Sequence, residues 1–99
     1  MEIEEILPEE VKKLLEKGVK LNIIDVREPQ EVAEGKISEA KHIPLGDVLT
    51  RLNEIDKEQE HIIVCRSGNR SGLASEWLID RGFKVKNMTG GMKKWSEEE

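Results

Sequence analysis

One cysteine, Cys65, is all the thiol that the 99-residue sequence contains. An internal disulfide framework is therefore excluded, as is a metal site built from several thiolates. Long apolar runs are missing too. The longest uninterrupted aliphatic stretch is Ile62-Ile63-Val64, far short of the roughly 20 residues that a membrane helix needs. There is no excess of positive charge, since 16 Lys+Arg face 21 Asp+Glu for a formal net charge of −5. Nothing in that balance concentrates nucleic acid or an anionic membrane surface. The opening residues Met1 to Glu5 lack the basic and apolar regions of a secretory leader, so the expected location is the cytoplasm. Internal repeats, Ser/Gly linkers and low-complexity tracts are absent, apart from the acidic close Glu97-Glu98-Glu99.

What remains is one domain's worth of chain, expected to fold as a single unit over residues 1–99. With 36% hydrophobic and 37% charged residues the chain is polar, yet its apolar residues fall in short dense runs. Disordered chains do not show that pattern. Leu21 to Val26 and His61 to Cys65 are rich in Ile and Val, which suits strands covered on both faces, as in a parallel sheet. Ile3 to Ile6, Ala40 to Ile43 and Phe83 to Met88 are shorter strand candidates.

Helical patterns lie between them. Pro8 suits a first helical position, Val11, Leu14 and Leu15 share one face, and Gly18 reads as the stop. A short helix is expected over Pro29 to Glu34. Asp47 is expected to cap a third, with Val48, Leu52 and Ile55 inward. A fourth runs from about Arg70 to Arg81 with Leu73, Ala74, Trp77 and Leu78 on its inner side. A last short turn carries Met92 and Trp95. The acidic close opposes the helix macrodipole, so this element should be brief and its end frayed. Strands alternating with helices at this spacing predict a three-layer α/β domain; periodicity does not give the strand order.

One segment carries chemistry. The strand ending at Val64 delivers Cys65, followed by Arg66-Ser67-Gly68-Asn69-Arg70-Ser71 and then a helix. Ligands of open α/β sheets bind outside the C-terminal ends of the strands, where this loop lies. Gly68 and Asn69 tolerate left-handed backbone angles, so the loop can curl and aim successive N–H groups inward. N–H groups backed by a helix N-terminus make an anion cradle, to which Arg66 and Arg70 add positive charge and planar donor forks. A cysteine in such a place loses its proton below the ordinary thiol range and becomes a strong nucleophile. Buried strand-end cysteines are otherwise small hydrophobes; the residues after Cys65 argue against that reading here.

Cys65-Arg66-Ser67-Gly68-Asn69-Arg70-Ser71 resembles the active-site loop of the rhodanese family of thiosulfate and persulfide sulfurtransferases. Ile24-Asp25-Val26-Arg27-Glu28 resembles that family's Asp-Val-Arg strand end. The stretch from Gly35 to Leu45, with Ile43-Pro44, resembles its Gly-His-Ile-Pro-Gly-Ala-x-Asn-Ile-Pro segment, with Lys36, Ser38, Glu39 and His42 as departures. Gly90-Gly91 before Trp95 resembles its closing Gly-Gly-x-x-x-Trp. The resemblance covers essentially the whole chain. It implies a rhodanese-like domain with a five-stranded, mainly parallel sheet flanked by helices, and Cys65 on the loop after the fourth strand.

The resemblance further implies a catalytic Cys65 that carries sulfur as a persulfide, with Arg66, Ser67, Gly68, Asn69, Arg70 and Ser71 binding the substrate. The implied donor is thiosulfate or a related persulfide or polysulfide. With no second cysteine, the acceptor is expected to come from outside as a thiol, including a protein thiol, or as cyanide. A monomer is expected. Two alternatives stand beside this. One is a sulfur carrier or redox-regulatory module using the same thiolate. The other is a cysteine phosphatase or arsenate reductase, although four residues separate Cys65 from Arg70 where those enzymes have five.

Asp25 and Arg27 are expected to support the site, as a structural ion pair or helix cap rather than in catalysis. Ser67 offers its hydroxyl to the sulfur or to the helix start, and Ser71 reads as a cap. His42 and His61 lack acidic or thiol partners at ligand spacing, so no metal or other cofactor is expected. Trp77 and Trp95 read as core, with Trp95 near the cleft rim.

Overall fold

The short Ile/Val runs become the strands of one sheet. In the computed structural model, which describes residues 2–97, these are β1 (Glu4–Ile6), β2 (Asn22–Asp25), β3 (Ala40–His42), β4 (Glu60–Val64) and β5 (Lys84–Met88). Their order is β1-β5-β4-β2-β3, and every pairing is parallel. The central strand β4 is the one with the unbroken aliphatic run. Its Ile62, Ile63 and Val64 are buried because both faces of the sheet are covered.

Side chains alternate across the strands and so feed two cores. Ile63, Ile24, Val26 and Cys65 face the layer built from α3 (Asn69–Asp80) and two short 3-10 turns at Leu45–Thr50 and Leu52–Glu54. Ile62, Val64, Ile23 and Met88 face the opposite layer, from α1 (Pro8–Glu16) and α4 (Gly91–Glu97). The remaining helix, α2 (Pro29–Ala33), sits past the C-terminal end of β2. The result is the three-layer α/β domain that the sequence predicts. Of the acidic close expected to fray, Glu97 is the last residue of α4, and Glu98 and Glu99 lie outside the described residues.

Two local expectations fail. Asp47 caps no helix: the turn starts earlier, at Pro44, whose carbonyl accepts the Asp47 N–H at 2.8 Å. Leu45 N–H is meanwhile tied to Val26 O at 3.0 Å, so the chain is anchored to β2 before Asp47 and coils as 3-10 turns. Val48 and Ile55 still point inward, with Leu52 packed against the same core. Leu73 is not on the inner side of α3 but is 42% exposed. The buried stripe of that helix runs through Ser71, Ala74, Ser75 and Leu78, and Leu73 falls on the opposite side at 3.6 residues per turn. Two serines hold inward positions that an apolar pattern does not register.

Candidate active site

Strand β4 stops at Val64 because the next residues turn away to form the loop. Gly68 adopts φ +103°, a conformation that L side chains rarely adopt. This bend brings the Gly68 N–H back onto Cys65 Sγ at 3.0 Å. Helix α3 begins at the next residue, and of its unpaired first-turn N–H groups that of Ser71 also faces the sulfur. Cys65 itself is 1% exposed. Only a terminal atom that reaches into the loop meets its sulfur.

Burial pushes the Cys65 thiol up, but the bonds to sulfur outweigh it. The Ser71 hydroxyl and the N–H groups of Ser71, Gly68 and Ser67 hold the thiol below its ordinary value. Ser71 is therefore no helix cap. Gly68 occupies the cap position, and the Ser71 Oγ sits 3.2 Å from Sγ. The sequence predicts a cap there, but Ser71 is the third residue of the helix, on the stripe facing the strand end.

Arg70 is placed differently from the free donor fork that the sequence predicts. Its Nη1 and Nη2 bind the two carboxylate oxygens of Glu31 at 2.7 and 2.8 Å. The Arg70 bond is the main reason that the Glu31 carboxyl is lowered to about 2, burial acting against it and the Glu28 N–H adding to it. The same pair raises Arg70 above its ordinary value. Arg66, by contrast, is exposed and lines an open cleft of ≈ 530 Å³ together with Lys36, Glu34, Lys93 and Trp95. Asn69 is exposed at the start of α3.

Asp25 and Arg27 form a buried pair, 0% and 6% exposed, joined at 2.9 Å. Arg27 also donates to the carbonyls of Glu31 at 3.3 Å and Gly35 at 2.7 Å. The pair thus fastens α2 to the end of β2, and α2 carries the Glu31 that meets Arg70. It braces the loop at one remove and touches no reacting atom.

The Gly90-Gly91 step fastens the loop from the other side. Gly91 has φ +59°, and a Cβ there would stand 2.6 Å from Cys65 O. With that space free, the first N–H groups of α4 reach the loop carbonyls, Met92 N to Cys65 O at 2.8 Å and Lys93 N to Arg66 O at 2.9 Å. Sequence reasoning missed Glu31 and Asn87. Asn87, on β5, accepts from Ser71 and donates to Gly68 O. The only signal for either was position: each belongs to a segment following or lying within a strand next to β4.

His42 and His61 bind separate backbone carbonyls, of Arg27 and Gln59. Among the described residues no three His, Cys, Asp or Glu side chains are grouped to hold a metal ion. No helix there is long and apolar enough to cross a membrane.

A cysteine held under N–H groups between a parallel strand and a helix is what the rhodanese resemblance implies, and comparison with known proteins decides the matter. The rhodanese-like domain family model matches residues 7–98. The chain belongs to the rhodanese-like domain family. The "Putative sulfurtransferase YtwF" of Bacillus subtilis is 44% identical over 99% of this chain and 95% of its own. The thiosulfate sulfurtransferase GlpE of Pseudomonas aeruginosa is 35% identical over 91% of this chain and 81% of its own. A rhodanese-like domain protein from Staphylococcus aureus has a crystal structure that superposes with TM-score 0.90 at 35% identity, covering 94% of this chain and 91% of that one. This rhodanese-like domain is similar to such proteins along nearly its whole length.

Proposed function

We propose that this domain is a sulfurtransferase of the thiosulfate:cyanide type, working through a persulfide on Cys65. The observation that carries the reading is the set of N–H groups from Ser67, Gly68 and Ser71 directed at one buried sulfur. They favour the thiolate over the thiol, and the same donors suit an anionic persulfide sulfur added to it. In the first step the Cys65 thiolate attacks the outer sulfur of thiosulfate. The thiosulfate S–S bond breaks and sulfite leaves with its electron pair. In the second step an acceptor thiolate or cyanide attacks the outer sulfur of Cys65–S–S⁻, and the Cys65 thiolate departs.

The 99 residues hold no second cysteine, so the acceptor is external. Related persulfide and polysulfide donors present the same terminal sulfur. Arg66, on the cleft wall beside Lys36 and Lys93, is the loop arginine left to meet the donor's sulfonate, since Arg70 is engaged by Glu31. Gly68 shapes the loop, Asn69 opens the helix, and Asp25 with Arg27 supports the whole from beneath. The four-residue interval from Cys65 to Arg70 also fits a single sulfur better than the tetrahedral oxyanion of a phosphatase.

The test is direct. Cys65→Ser is expected to abolish thiocyanate formation from thiosulfate and cyanide while the circular dichroism spectrum is kept; full activity would remove the proposal. Intact-mass spectra after thiosulfate are expected to show one added sulfur that a reductant clears. Multiple turnovers with cyanide or a thiol mark a catalyst, whereas a single stoichiometric transfer marks a carrier.

A further inference from the structure

Four groups around the nucleophile close into a ring. Cys65 Sγ lies 3.2 Å from Ser71 Oγ. Ser71 Oγ donates to Asn87 Oδ1 at 2.5 Å, and Asn87 Nδ2 donates to Gly68 O at 3.1 Å. The Gly68 N–H returns to Sγ at 3.0 Å. Gly72 lies alongside the amide, where a Cβ would come into ordinary contact with Asn87 Nδ2 at 3.4 Å.

Proton accounting fixes the direction of these bonds. A backbone carbonyl only accepts, so the Asn87 amino group must face Gly68 O and its carbonyl oxygen must face Ser71. Ser71 has one hydroxyl proton, and the closer claimant is Asn87. We propose that Asn87 is a positioning residue for Cys65 that acts through Ser71, claiming the hydroxyl proton and turning the oxygen's lone pairs toward the sulfur. This rests on the reading of Cys65 as the sulfur-accepting nucleophile.

With a neutral thiol the ring is complete: S–H to Oγ, O–H to Oδ1, N–H to Gly68 O, N–H to Sγ. With a thiolate, Ser71 must swing its proton to the sulfur. Oγ and Oδ1 then face each other at hydrogen-bond distance as two acceptors, which is unfavourable. Asn87 therefore restrains the charge that the N–H groups promote. Once sulfur is loaded, the charge sits on the outer sulfur and Ser71 is free to return its proton to Asn87. The charged groups around the loop are Arg66, Arg70 with Glu31 upon it, the Asp25–Arg27 pair beyond β2, and Lys93 of α4. Among the described residues none of these side chains is hydrogen-bonded to Sγ.

The experiment is a double-mutant cycle read by the pH dependence of iodoacetamide alkylation of Cys65. Asn87→Ala frees Ser71 to serve the sulfur, and the alkylation midpoint is expected to fall, with about five-fold more thiolate below the midpoint. In a Ser71→Ala background no hydroxyl remains to be steered, so the same change is expected to give a much smaller shift, that of losing the Gly68 O contact alone. Loss of the Gly68 O contact is common to both backgrounds and cancels. If Asn87→Ala melts below the assay temperature, Asn87→Val refills the space on a strand and takes its place. An unchanged or raised midpoint, or an equal shift in both backgrounds, overturns the proposal. Alkylation reads the thiolate and the mass of the sulfur adduct reads the persulfide, so failure of this inference and failure of the sulfurtransferase reading are separately visible.

Discussion

At the scale of single residues, the sulfur is tuned chiefly by backbone N–H groups and one hydroxyl. Arg70 stands near Cys65 and is itself raised partly by the cysteine's charge, after the larger effect of Glu31. Because Glu31 faces it bidentately, the pair presents little net charge to Sγ. Arg70→Met alone leaves an unpaired carboxylate in place, and we expect the alkylation midpoint of Cys65 to rise. Arg70→Met combined with Glu31→Gln removes both charges, and the midpoint is expected to return to within about 0.3 of the wild-type value, a small fraction of the tenfold that one unit represents. Equal midpoints for the single and double variants would assign the activation to the Arg70 charge after all.

At the scale of elements, two helix starts meet on one loop. The start of α3 serves the sulfur, and the start of α4 serves the carbonyls of Cys65 and Arg66. Both approaches depend on glycine, at Gly68 and at Gly91. We expect Gly91→Ala to lose about 1–3 kcal/mol of stability from its backbone conformation alone, and more from the clash with the loop carbonyls. Sulfur transfer should fall with it, because the loop must shift to make room. Gly18→Ala is the control: φ is +80° but open space surrounds the position, so about 1 kcal/mol of stability should go and transfer should stay. Urea unfolding and thiocyanate assays of both variants separate strain from damage to the loop. Equal activity losses would show that general destabilisation, rather than α4's grip on Cys65 O, is responsible.

The same scale explains what was legible in the sequence. Ile62-Ile63-Val64 and Ile23-Ile24 announce buried strands because a strand covered on both faces has no polar side to show. Gly68 announces the loop's bend because left-handed angles favour glycine. Ser71 and Ser75 were not legible as inward residues, since a serine reads as polar whether it faces solvent or a buried partner. Leu73 misled for the converse reason: an apolar residue on a helix carries no mark of being exposed. Asn87 and Glu31 matter through partners 16 and 39 positions away. Only the strand order β1-β5-β4-β2-β3 brings those segments alongside β4, and that order is set by long-range packing, which periodicity does not encode.

At the scale of the whole molecule, the site is assembled from the central strand and both its neighbours. β4 supplies Cys65 at its end, β5 supplies Asn87, and β2 supplies Asp25 with the α2 helix beyond it. The Glu31–Arg70 bridge then ties α2 to α3 across the top of the sheet, so it belongs to the stability of the fold as well as to the site. Its acid response has a definite sign. The Glu31 carboxyl is lowered from 4.5 to about 2, first by the Arg70 bond. A carboxyl lowered on folding contributes stability that is complete above about pH 4.5 and lost as pH falls through about 2. The side chains are partly exposed, so the bridge is worth about 1 kcal/mol or less. Glu31→Gln should therefore be less stable than wild type at pH 7 in urea unfolding. The gap should close steadily as the pH is lowered from 5 to 2, because protonated Glu31 can no longer form the bridge. A gap that stayed constant across that range would mean that Glu31 supports the fold through its packing, and not through the charge that its bonds to Arg70 and the Glu28 N–H favour.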